Sequence, residues 1–89
     1  MFKEWLTTRI TFEQIEQENL VKDERLGPGP VLFGFQNHLW MEFQKQIQEG
    51  DELWNFSSPA ESWRGLCGRA GIALVRNGEI VDSFVTMMN

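Results

Sequence analysis

The sequence predicts an α+β fold: an antiparallel sheet of three to four strands with helices packed on one face, ending in a β-hairpin that turns at Asn77-Gly78. Three observations carry that expectation. Asn77-Gly78 stands between two apolar, β-branched runs, residues 72–76 and 79–85, and suits a type I′ turn whose central residues both take positive φ. Leu39, Phe43 and Ile47 recur every four residues, an apolar stripe wide enough to pack a helix on a sheet. The chain of 89 residues is long enough for one domain spanning 1–89 and too short for two.

The elements follow in order. Residues 3–10, rich in Thr and in aromatic or β-branched types, predict a short strand or an ordered arm. Thr11 with Gln14 fits a capping box, and Glu13 and Glu16 early with Lys22 and Arg25 late match a helix dipole. A helix is therefore expected over 12–25, with Phe12, Ile15 and Asn19 on the face of Leu26, and Leu20 and Val21 off it. Gly27-Pro28-Gly29-Pro30 ends it, because proline removes backbone donors and restrains the residue before it. That connector would let residues 1–30 fold on their own sheet or reach another chain. Val31–Phe35 is either a buried strand or the lead-in to the next helix.

A helix over 36–49 carries the Leu39, Phe43 and Ile47 stripe with Trp40 beside it, and Gly50 stands where a C-terminal cap belongs. Leu53–Phe56 reads as a strand. Ser58-Pro59-Ala60-Glu61 combines an N-cap hydroxyl, proline at the first helical position and a glutamate three residues on, so a short helix over 59–67 should begin there and stop at Gly68. In the hairpin register Arg76 faces Glu79, Val75 faces Ile80 and Leu74 faces Val81.

Composition narrows the function classes. Apolar residues make up 42%, with seven Phe and four Trp to fill a core, so the chain is expected to be globular. The net charge of −5, with no Lys/Arg run, repels a phosphate backbone; nucleic acid is not an expected partner, whereas a basic protein is. One cysteine, Cys67, and one histidine, His38, exclude an internal disulfide framework and a Cys/His zinc site. No segment approaches the ~20 apolar residues of a membrane span. Residues 1–7 carry an acid early, Glu4, and no continuous apolar stretch, so no secretory signal is read there and a cytoplasmic location is the default expectation.

From Gly50 to Asn89 the pattern Gly-Asp-Glu-Leu-Trp, Phe-Ser-Ser-Pro, Glu-Ser-Trp, Gly-Arg-Ala-Gly, Leu-Val-Arg-Asn-Gly and a final Met-Asn resembles a family of small bacterial proteins of uncharacterised function. The resemblance implies a stand-alone bacterial protein with a shared C-terminal fold. It implies no activity.

Chemistry is sparse. Cys67 is the one candidate nucleophile, with Arg64 and Arg69 near it in sequence, but it lies at the C-terminal end of the expected helix, where the dipole disfavours a thiolate. His38 is better placed to pair with Glu42, so Cys67 reads as a buried structural residue. Gly65, Gly68 and Gly71 run helix, loop, strand, the reverse of a phosphate loop, and read as a tight turn. Glu49, Asp51 and Glu52 lack calcium-loop spacing and read as a solvated turn.

The surplus of aromatics is the stronger signal, since a small interior would leave some of them at an interface. The expected function is a non-enzymatic, acidic protein-interaction module, either a homodimer or a binder of a basic partner, with no cofactor. Its expected binding residues are Trp54, Trp63, Arg64 and Arg69. The alternative is an anion- or small-ligand-binding protein, or a small enzyme, using Arg64 and Arg69 beside a Trp-lined pocket.

Overall fold

The computed structural model describes residues 3–22, 25, 27, 29 and 31–89. In chain order the elements are a 3-10 turn (Lys3–Trp5), β1 (Leu6–Ile10), α1 (Phe12–Glu18), β2 (Leu20–Val21), β3 (Val31–Leu32), a second 3-10 turn (Gly34–Gln36), α2 (Asn37–Gln44), β4 (Glu52–Ser57), α3 (Ala60–Arg64), β5 (Arg69–Arg76) and β6 (Glu79–Met88). Four strands form an antiparallel sheet in the order β1-β4-β5-β6, and β2 and β3 make a separate two-stranded ribbon. The α+β architecture is as the sequence predicts.

The core lies between the sheet and the helices. Ile10, Leu53 and Leu74 are cross-strand neighbours on the helix-bearing face, and Ile72 and Phe84 follow one row further on. Ile15, Phe33, Trp40 and Phe43 pack down on them. Trp40 is fully buried at the centre, with its ring centroid 4.8 Å from Phe33, 5.5 Å from Phe84 and 5.7 Å from Phe43. Burying each such side chain contributes roughly 1.5–3 kcal/mol, so this aromatic cluster is the main source of stability. The indole Nε1 of Trp40 is buried without a hydrogen-bond partner among the described residues, at a cost of about 1–3 kcal/mol set against that gain.

The second face carries Phe56, Ala73 and Val75, all buried although no helix is needed to cover them. Leu6 pairs with Phe56, at the end of the sheet far from the hairpin turn, yet Lys3 Nζ lies 3.5 Å from Glu79 Oε1 beside that turn. The Lys3–Trp5 turn therefore folds back toward the hairpin turn instead of running on past the sheet. Residues 3–10 are thus both of the things the sequence allowed, an ordered arm and an edge strand.

Four local expectations need correction. The first helix stops at Glu18 rather than near residue 25, because Leu20 and Val21, which lay off its apolar face, pair with Leu32 and Val31 instead. Pro28 and Pro30 of the expected connector lie outside the described residues. The second helix spans Asn37–Gln44 and then tightens into 3-10 turns at Gln46 and Ile47, so Gly50, at φ 89°, serves a turn and not the helix end. The third helix begins at Ala60 without a side-chain cap.

The fourth correction concerns the hairpin. Arg76 faces Glu79 and Val75 faces Ile80, as predicted, but Leu74 pairs with Asp82 and not with Val81. A bulge inserts one extra β6 residue there, and a second shift separates Ala70 from Gly71. Asp82 uses the bulge to cap its own neighbour: its Oδ1 accepts the Ser83 N–H at 2.8 Å. A bulge and a carboxylate on the outer strand blunt the edge against further strand pairing.

Candidate functional site

The structure places the four expected binding residues at two sites. Trp63, Arg64 and Arg69 gather at one corner of the sheet around Ser58, whereas Trp54 lies in the middle of β4 beside Ala73, with its Nε1 donating to Glu52 at 2.9 Å. Arg64 is exposed and stands 3.9 Å from Glu61. Arg69 is exposed at the first position of β5. None of the four lines any of the three described clefts.

The corner is bonded to itself. Ser58 is the one buried polar residue described, at 6% exposure; its Oγ accepts the Arg69 N–H at 2.9 Å and the Ser62 hydroxyl at 2.7 Å. Trp63 Nε1 donates to Ser58 O and Ser57 Oγ, and the ring lies so close to Gly68 that a Cβ there would sit 2.1 Å from Trp63 Cδ2. Asn89 closes the loop: its Oδ1 accepts the Gly68 N–H at 2.7 Å and its Nδ2 donates to Trp63 O at 2.6 Å. The polar groups of Ser58, Trp63 and Asn89 are bonded within the fold, a structural corner whose two arginine side chains are exposed to solvent, Arg64 at 3.9 Å from Glu61.

Cys67 is exposed on this corner, contrary to its expected burial, because Leu66 takes φ 61° and turns the loop outward. Its Sγ donates at 3.4 Å to Gly65 O, and no histidine is bonded to it. Glu42 pairs with Lys45 at 3.0 Å and not with His38. Among the described residues no group of three or more His, Cys, Asp or Glu side chains stands close enough to hold a metal ion.

Asp51 is also not a free turn residue. Its side chain is 2% exposed and takes a bidentate pair from Arg76, with Nε and Nη2 both at 2.9 Å, plus the Gln48 N–H at 2.8 Å. Arg76 Nη2 also donates to Gln46 O at 3.0 Å. The Arg76 hydrogen bonds, helped by the Gln48 N–H, hold the Asp51 carboxyl down at about 2. The pair ties the end of α2 to the hairpin and is spent on the fold. Glu79, the residue facing Arg76, meets Lys3 instead.

Of the three clefts, one lies between β1, the start of α1 and β4, and the other two reach β6. A groove of about 340 Å³ runs between α2 and β6, with Phe43 and Phe84 at its base and Leu39, Glu42, Gln46 and Asp82 around it. Leu39 is 51% exposed there, and Phe35, one turn earlier, is exposed too. Beyond it, where β5 and β6 outrun the helices, Glu18, Asn19, Asn55 and Thr86 surround a cleft of about 180 Å³. Sequence reading missed these residues because they come from α1, α2, β4 and β6 and meet only through the sheet order. Only the helical spacing of Leu39 and Phe43 pointed at one wall.

Comparison with family models, with curated proteins and with solved structures gives no match for this chain.

Proposed function

We propose that the protein is an interaction module that receives an apolar side chain of a basic partner protein in the groove between α2 and β6. The observation that carries this reading is the groove itself: an apolar base open to solvent, a half-exposed leucine at its lip, and two carboxylates, Glu42 and Asp82, beside it. Apolar lining with a few polar groups around it is the usual form of a recognition site. The net charge of −5 adds a long-range attraction for a basic partner. Nothing in the described residues supplies an activated nucleophile or a metal cluster, so binding is the better-supported class.

The test is a ¹⁵N-detected titration with a short peptide alternating leucine and lysine. The reading expects amide shifts at residues 39–46 and 82–85, their loss in Leu39→Glu, and a much weaker response there to the same peptide with glutamate in place of lysine. Equal responses to both peptides, or shifts that avoid the groove, would contradict it. Sedimentation of the protein alone distinguishes the homodimer: a dimer that dissociates in Leu39→Glu would make a second copy the occupant.

A further inference from the structure

The cleft at the end of α1 differs from the groove in its chemistry, because its polar side chains offer acceptors. Asn19 Nδ2 donates to Ile15 O at 2.8 Å and Asn55 Nδ2 donates to Thr8 Oγ1 at 3.1 Å, which leaves each Oδ1 without a donor, and one N–H of each amide without an acceptor, among the described residues. Thr86 Oγ1 donates to Ala70 O at 3.4 Å and keeps its lone pairs. The Glu18 carboxylate, on the last residue of α1, has no partner among the described residues. Ala70 and Ile72 of β5 supply an apolar floor.

We propose that this cleft binds an organic cation, a guanidinium or primary ammonium group carried on a short apolar stem. Four acceptors around an apolar floor satisfy a group that is donor-only at its head and aliphatic behind it. The cleft is smaller than the ~300 Å³ at which drug-sized sites begin, so it takes a side-chain-sized group and not a nucleotide. A calcium ion would need six to eight oxygens and gains little from one carboxylate above an isoleucine. The cation arrives either as a free small amine or as the Lys or Arg side chain of a polypeptide. The inference stands apart from the groove: Leu39→Glu should leave it unchanged.

The experiment is a ¹⁵N-detected titration of the full chain with methylguanidinium, methylammonium, N-acetyl-arginine amide, acetamide and calcium chloride, each alone. The proposal expects both simple cations to shift the amides of Asn19, Asn55, Ala70, Ile72 and Thr86, and acetamide to leave them in place. Glu18→Gln should weaken binding about fivefold, the scale of one exposed charge pair, without changing the melting temperature. Tighter binding of the arginine amide than of methylguanidinium assigns the site to a polypeptide side chain; weaker binding assigns it to a free amine. Shifts absent at these residues, equal shifts with acetamide, a stronger response to calcium, or an unchanged affinity in Glu18→Gln would each overturn the proposal.

Discussion

Two corners at the same end of the sheet have similar polar content and opposite character. Around Ser58, the side chains of Ser62, Trp63 and Asn89 and the backbone of Gly68 and Arg69 satisfy one another. Around Glu18, the side chains of Asn19, Asn55 and Thr86 each turn one donor into the protein and leave acceptors over. Residue type does not separate them; the first corner even holds the arginines and tryptophan that look more like a binding site. The difference is in the hydrogen-bond accounting. A polar cluster whose bonds close on themselves holds the fold together, and one with unmatched groups beside a cleft is available to a ligand.

The largest break of this contrast comes from Gly71→Ala, since β5 forms the floor of both corners. A Cβ there would sit 2.0 Å from the Phe84 carbonyl oxygen, a backbone atom that cannot swing away. We expect a loss of about 3 kcal/mol or more, read as a lower urea midpoint, together with damage at both corners. Ser58→Ala should act on one corner only. It leaves the Arg69 N–H without its side-chain acceptor at a buried position, while the Ser62 hydroxyl keeps Pro59 O, and we expect about 1–3 kcal/mol from thermal unfolding.

Thr11→Ala sharpens the comparison from the other side. Thr11 Oγ1 accepts the Gln14 N–H at 3.1 Å and Gln14 returns the bond to the Thr11 N–H at 2.9 Å, so its loss should cost about 1 kcal/mol by equilibrium denaturation. Because α1 ends at Glu18 and Asn19 follows as its C-cap, that variant should also loosen the open corner.

The smallest effect is at neutral pH, where the Asp51 clamp is fully formed. Its carboxyl is held at about 2, below the ordinary 3.8, so its stabilisation is complete above 3.8 and is lost as pH falls through about 2. Acid unfolding of Asp51→Asn should lack the component that the natural protein shows in that window.

The two helix starts explain how much of this was legible in the sequence. Thr11/Gln14 and Ser58/Glu61 carry the same capping pattern, yet only the first forms the box. Thr11 is exposed and has no competitor, so the local code decides. Ser58 lies against β5, and the Arg69 N–H claims its hydroxyl. The hairpin turn was legible for the first reason, and its bulge at Asp82 was hidden for the second: residue spacing carries no sign that Asp82 would bond Gln46 and Ser83. The helix at 37–44 follows from local periodicity, while the groove depends on α2 meeting β6 and the cleft on the end of α1 meeting β4, β5 and β6, contacts that no local pattern encodes. The same limit explains why Arg64 and Arg69 drew the eye and Asn55 did not.

The most direct test of the central claim pairs Ser58→Ala with Glu18→Gln and measures thermal stability and methylguanidinium affinity for each. The account predicts a crossed result: Ser58→Ala loses stability and keeps binding, and Glu18→Gln keeps stability and loses binding. Parallel losses in both variants, or the reverse assignment, would show that the two corners are not divided between fold and ligand.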